Sequence, residues 1–241
     1  MKFNKQALRL ALMVASIMGG ASAATAQSRA GPVLASELFF EERGPARLGQ
    51  WTADALLARH PAILRTLRSE GVRAARIPAD VCSPRLPCNR ILHDEFMFSG
   101  SRLLSVLSST SQFAGGAHGS YGVADRIFDL RTGRRLQFRD LFTNWRAAQP
   151  VLQAKVCAAL REQRPDSPIA ECPPVADIAF ALGEVGEVPV GGPATGFQVR
   201  TSDYQLGSYA DGTEEANVML DAQLLAMIKP EYRGDFRISA Y

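Results

Sequence analysis

The stretch ILHDEFMFSGSRLLSVLSSTSQFAGGAHG, Ile91 to Gly119, decides the fold. Its first eight residues place Leu92, Phe96 and Phe98 on one alternating face, the two-residue period of a strand. His93 falls on the other face and reads as solvent-facing. Gly100-Ser101 then turns the chain into a second strand, Arg102 to Phe113, whose serines suit one polar side. The run ends at Gly115-Gly116-Ala117-His118-Gly119. Three glycines in five residues permit positive φ and close approach of backbone.

Working toward the C-terminus, Tyr121 to Leu130 reads as a third strand. Asp129-Leu130-Arg131-Thr132-Gly133-Arg134 is a hairpin turn, with Gly133 able to take the left-handed position. Leu136 to Phe138 returns as its partner. Pro150 suits the first turn of a helix, where a missing N–H costs little. Val151, Leu152, Val156, Ala159 and Leu160 then form an apolar stripe. Ala176 to Leu182 alternates as a strand, Glu184 to Gly196 is a loop, and Phe197 to Thr201 is a short strand. An aromatic-glycine loop, Tyr204 to Gly212, precedes a strand at Glu215 to Leu220. Asp221 is placed to cap a helix running to Ile228.

Toward the N-terminus, Gln50 to Glu70 reads as helical, with Leu56, Leu57, Ile63, Leu64 and Leu67 on one side. Pro61 kinks or splits it, His60 is a boundary residue, and Gly71 ends it. From Val72 the chain reads as strand-like, and Val33 to Phe40 could supply an early strand. Strands and helices follow in mixed order without regular βαβ alternation. The expected class is α+β, an antiparallel sheet packed against a few helices.

The first residues form an address. Lys2, Lys5 and Arg9 precede an apolar run, Leu10 to Met18, and two small-x-small sites, Ala21-Ser22-Ala23 and Ala24-Thr25-Ala26. That is the three-part pattern of a secretory signal peptide, with cleavage expected after Ala26. The apolar run is too short for a spanning helix, and no later stretch reaches the roughly 20 apolar residues of one. No cysteine lies near the cleavage region to carry a lipid anchor. The expectation is a periplasmic or secreted protein with no membrane span after cleavage.

The chain has 241 residues, 46% hydrophobic and 21% charged, the composition of a globular protein. Of its 27 basic residues three lie in residues 1–26, so the remainder carries 24 basic and 24 acidic residues and no net charge. This argues against a nucleic-acid partner, which calls for a basic excess. Arg131, Arg134 and Arg135 cluster on the turn and read as solvated. Four cysteines in an oxidising compartment suggest two disulfides. Of the three pairings, local closure is favoured: Cys82 with Cys88, and Cys157 with Cys172. A zinc site is the competing idea, but the spacings fit no common structural pattern, and His60, His93 and His118 are scattered.

Three stretches taken together resemble a known family: Leu104 to Gly119; Asp129 to Gly133 with Leu136 and Asp140-Leu141-Phe142; and Tyr204 to Gly212. Their order is similar to the extracytoplasmic domain of unknown function shared by lysozyme-sensing anti-sigma factors and the non-catalytic part of a peptidoglycan deacetylase. The resemblance covers residues 90–230 most clearly. It divides the chain into a signal peptide (1–26), an N-terminal companion region (27–89) and a sensor-like α+β domain (90–241). In that family the best understood role is binding lysozyme. This sequence lacks the spanning helix, the cytoplasmic segment and the deacetylase domain, so signalling and deacetylation do not carry over. A fold, and an ability to bind a lysozyme-like envelope protein or peptidoglycan, can.

No nucleophile elbow, His-Glu-x-x-His or phosphate-cradling loop is present. An enzymatic alternative, a cell-wall hydrolase or metal-dependent enzyme, would centre on His118 as general base, since histidine titrates near neutrality. No partner nucleophile is evident, and the simpler role for His118 is to bond loop backbone. The reading is therefore a non-catalytic binding module with no cofactor and no metal. Its candidate binding residues are Gly115, Gly116, His118, Gly119, Tyr204, Tyr209 and Asp211.

Overall fold

The computed structural model describes residues 36–44, 47–78, 81–82, 86–165, 169, 171–183 and 192–238. The expected signal peptide and most of the expected loop at Glu184 to Gly196 lie outside them. The expected α+β class is what the chain adopts: the described residues form six strands in one sheet, three in another, and three α-helices.

The first sheet has the order β1 (Ser36–Gly44), β2 (Arg47–Asp54), β3 (Cys88–Ser99), β4 (Leu103–Phe113), β5 (Ser120–Asp129) and β6 (Arg135–Leu136). Neighbours are antiparallel except β2 and β3, which run parallel because helix α1 (Pro61–Ala75) carries the chain across between them. The helical reading of Gln50 to Glu70 is thus corrected at its start. Residues 50–54 alternate, with Trp51 and Ala53 buried, and belong to β2. The helix proper begins with Pro61 at its first position, where proline is tolerated. It buries Ile63, Leu67, Gly71 and Ala75, one residue every four. Gly71 does not end it. A Cβ there would lie 2.4 Å from the Trp51 indole, so glycine lets helix and strand meet.

Side chains alternate across β4. Leu104 and Val106 face α1, in a core with Trp51, Leu67, Leu92 and Phe96. Leu103 faces the opposite way, into the larger core. A β-bulge between Phe96 and Phe98 breaks the alternation of β3. Phe98 therefore leaves the face of Leu92 and Phe96 and joins the larger core, contrary to the simple period. His93 is also less free than expected. Its Nδ1 lies 2.9 Å from Thr52 Oγ1 and its Nε2 3.4 Å from Asp54 Oδ1.

The larger core lies between this sheet, helix α2 (Trp145–Gln163) and the second sheet, β7 (Ala179–Gly183), β8 (Gly196–Arg200) and β9 (Glu215–Met219). Asn144 Oδ1 accepts the Ala147 N–H and starts α2. Pro150 consequently sits inside the helix, not at its first turn, and leaves one carbonyl of the preceding turn without its usual donor. The strand expected at Leu136 to Phe138 stops at Leu136 and becomes a 3-10 turn, Phe138–Leu141. Asp221 Oδ1 accepts the Leu224 N–H and caps α3 (Ala222–Met227). Cys82 is bonded to Cys88 and Cys157 to Cys172.

The C-terminal segment is fastened by one carboxylate. Asp235, 2% exposed, accepts from the backbone N–H groups of Ser101, Arg102 and Leu103 and from the Ser101 hydroxyl. A Cβ on Gly100 would lie 2.5 Å from that carboxyl group, so the turn between β3 and β4 needs glycine.

Candidate binding surface

Two loops meet at one edge of the molecule. The first joins β4 to β5 and holds Gly115 and Gly116 at φ +85° and +128°. Gly119 is constrained differently: a Cβ there would lie 2.9 Å from the Gln112 carbonyl oxygen. The second loop joins β8 to β9. Hydrogen bonds at the start of β5 stitch them together, with Asp203 N–H donating to the Tyr121 backbone oxygen at 3.1 Å and Val123 N–H to the Ser202 hydroxyl oxygen at 3.0 Å.

This arrangement brings three of the expected residues into contact. The His118 ring stacks on Tyr209 with centroids 3.8 Å apart and planes 19° apart. Its Nδ1 lies 2.8 Å from the Gly119 carbonyl oxygen. A carbonyl only accepts, so Nδ1 bears a proton, and Nε2 lies 3.3 Å from the Tyr204 hydroxyl. Tyr204 and Tyr209 rings are 5.9 Å apart. All three side chains face water; Tyr204 is 56% and Tyr209 39% exposed. Tyr204 also has φ +65°, and among the described residues it alone is a non-glycine in that region. Such backbone is sparsely populated and persists where surrounding contacts hold it.

Asp211 plays a different part from the rings. Its carboxylate accepts from the Ser208 N–H and hydroxyl, and from Arg164 Nη2 at 3.1 Å. The Ser208 hydroxyl first, then its amide and Arg164, hold the Asp211 carboxyl below the usual range. Arg164, at the end of α2, also lies 3.5 Å from Glu214. Asp211 thus clamps the loop that presents Tyr209, and a Cβ on Gly207 would lie 2.5 Å from its oxygen.

As a catalytic base His118 would need a nucleophile or substrate proton at Nε2. Here Nε2 faces a phenol and Nδ1 a carbonyl, an arrangement that orders a loop. Among the described residues, no group of three His, Cys, Asp or Glu side chains could hold a metal ion. No described helix is long and apolar enough to cross a membrane.

A second concave feature was not singled out by the sequence. It is a cleft of about 680 Å³ beside β5, β6 and Trp145. Its walls come from four separated segments, so no local motif marks it.

No protein-family model matches the sequence, and no curated protein matches it. Among solved structures, the chain is similar to a DUF3298 family protein from Pseudomonas aeruginosa PAO1, with TM-score 0.50 and 18% identity over 84% of this chain and 96% of that one. It is also aligned with a DUF3298 family member from Bacteroides fragilis, with TM-score 0.46 and 14% identity, over 84% of this chain and 97% of that one. What the first likeness establishes is architecture: this chain has the fold of a DUF3298 family protein.

Proposed function

We propose that the chain is a non-catalytic binding module of the cell envelope, periplasmic or secreted, that recognises a lysozyme-like protein or a cell-wall glycan. The observation that carries this is the exposed cluster of His118, Tyr204 and Tyr209 where two loops meet, with His118 stacked on Tyr209 and Tyr204 held at a sparsely populated backbone angle. Buried tyrosine is ordinary packing, whereas grouped exposed rings supply rigid amphipathic contact area at small entropic cost. Either ligand suits such a surface, since sugars stack on aromatic faces and tyrosines anchor protein interfaces. Gly115, Gly116 and Gly119 set the path of the loop carrying His118, and Asp211 fixes the loop carrying Tyr209.

Two disulfides fit an extracytoplasmic setting, where such bonds persist. Export with cleavage after Ala26 belongs to the same reading, and the intact mass of the protein recovered from the envelope tests it. The binding role is tested by incubating the purified chain separately with lysozyme and with peptidoglycan sacculi. Retention by one of them supports the role; retention by neither overturns it.

A further inference from the structure

The cleft beside Trp145 is built from an apolar floor and a charged rim. Phe138 and Phe180 stack at its base with centroids 4.1 Å apart, and the half-buried Trp145 meets Phe138 edge-on at 6.3 Å. The rim carries Asp125, Arg135 and Arg139. Arg135 is held in place: its Nη2 donates to the Asp125 backbone oxygen at 3.2 Å, and its Nη1 lies 3.6 Å from Glu70. Arg139 is exposed and enters no ion pair among the described residues. Burial, opposed by its own amide, Arg135 and the Phe180 amide, pushes the Asp125 carboxyl above its usual range. The volume of about 680 Å³ lies within the usual size of small-molecule sites, roughly 300–1,000 Å³.

We infer that this cleft is a ligand site for a saccharide unit bearing a carboxylate, separate from the ring cluster. An acyl chain would call for an enclosed apolar tunnel, and this cleft is open along one side and polar at its rim. A sugar is amphipathic in the same sense as the cleft. Its C–H face suits the half-buried Trp145 ring, and its hydroxyls suit the carboxyl group and guanidinium groups of the rim. A carboxylate on the sugar answers the two guanidinium groups, whose fork matches it in geometry and charge. The inference stands whether or not the ring cluster binds its own partner.

Trp145 supplies the readout. The chain has two tryptophans, and the other, Trp51, is 0% exposed in the core beneath α1. Fluorescence of the full chain is titrated with two matched pairs: glucuronic acid against glucose, and N-acetylmuramic acid against N-acetylglucosamine. Acetate serves as the bare carboxylate. The expected result is a saturable change with at least one acidic sugar, at least tenfold weaker with its neutral partner and with acetate. The responding acid identifies a uronic or a cell-wall source. Arg139→Gln should weaken that binding at least tenfold, while Arg131→Gln, on the neighbouring turn, leaves it intact. Three results would overturn the inference: no response, equal response to acidic and neutral sugars, or wild-type affinity in Arg139→Gln. In the last case the sugar sits elsewhere, and the ring-cluster reading is untouched.

Discussion

Replacing Asp235 with alanine removes the acceptor for four donors at once. The Leu103 N–H, 2.6 Å from Oδ2, is buried and cannot turn to water. Leaving such a donor unsatisfied costs about 1–3 kcal/mol. The amides of Ser101 and Arg102, at 2.7 and 2.8 Å, lie nearer the surface and can rehydrate. Each then loses about 0.5–1.5 kcal/mol of net hydrogen-bond strength. The sum for Asp235→Ala is about 2–6 kcal/mol, set against the roughly 5–15 kcal/mol by which folded domains are stable. Gly100→Ala attacks the same spot from the other side, because its methyl would lie within 2.7 Å of the carboxyl carbon and both its oxygens. Overpacking of that kind costs about 1–3 kcal/mol. In the double variant the methyl enters space the carboxylate has vacated. The two effects should fall short of additivity by at least about 1 kcal/mol, as expected for groups in direct contact. Urea denaturation of the wild type, both single variants and the double closes the cycle. An Asp235→Ala cost below about 1 kcal/mol, or additivity within about 0.5 kcal/mol, would refute the reasoning.

Other perturbations give equally directed outcomes. The Cys157–Cys172 bond closes a separation of 15 residues and Cys82–Cys88 one of 6. On the chain-entropy account, removing them costs about 3 and about 2 kcal/mol respectively, and thermal melts of the paired alanine variants rank them. Hydrogen bonds from Arg102, and from the Leu224 amide with Lys155, hold the Asp129 and Asp221 carboxyls below their usual range. Their stabilisation is complete above the unfolded value of about 3.9 and is lost as pH falls through the lower folded values. Asp129→Asn should therefore destabilise at pH 7, with a smaller gap from wild type at pH 2. Asp125 has the opposite sign, since a raised carboxyl costs stability once pH passes its unfolded value. Asp125→Asn should raise the melting temperature at pH 7 and leave it unchanged at pH 2. Gly116 has open space around its Cβ position but φ +128°. Gly116→Val should then cost about 1–3 kcal/mol from backbone strain alone, read by urea denaturation.

The parts of the fold legible in the sequence are those decided locally. Strand period marks β3, β4 and β5, Gly133 marks the turn with φ +69°, and Asp221 marks the start of α3. The parts that were not legible depend on distant partners. Residues 50–54 follow β2 because Trp51 is needed against Gly71 and its neighbours across β3. Phe98 changes face through a bulge that the bare alternation cannot announce. Asp235 is a common residue type in a short C-terminal turn, and its importance lies in donors more than 130 positions away. The same holds for the ring cluster and the cleft. Glycines and tyrosines mark both loops in the sequence, but the stacking of His118 on Tyr209 comes from the meeting of the loops in space. The cleft, gathered from Asp125, Arg135, Arg139 and Trp145, carried no local signal at all.

The central claim, recognition through the ring cluster, is tested most directly by titration calorimetry of the wild type and the Tyr204→Ala/Tyr209→Ala variant against lysozyme and against solubilised peptidoglycan fragments. The account predicts binding of one of them by the wild type. Truncating exposed aromatic anchors should weaken it at least about thirtyfold, the scale of an interface hot spot of about 2 kcal/mol. The melting temperature should change little, because both rings lie at the surface. Equal affinity in wild type and variant, with the fold intact, would contradict it.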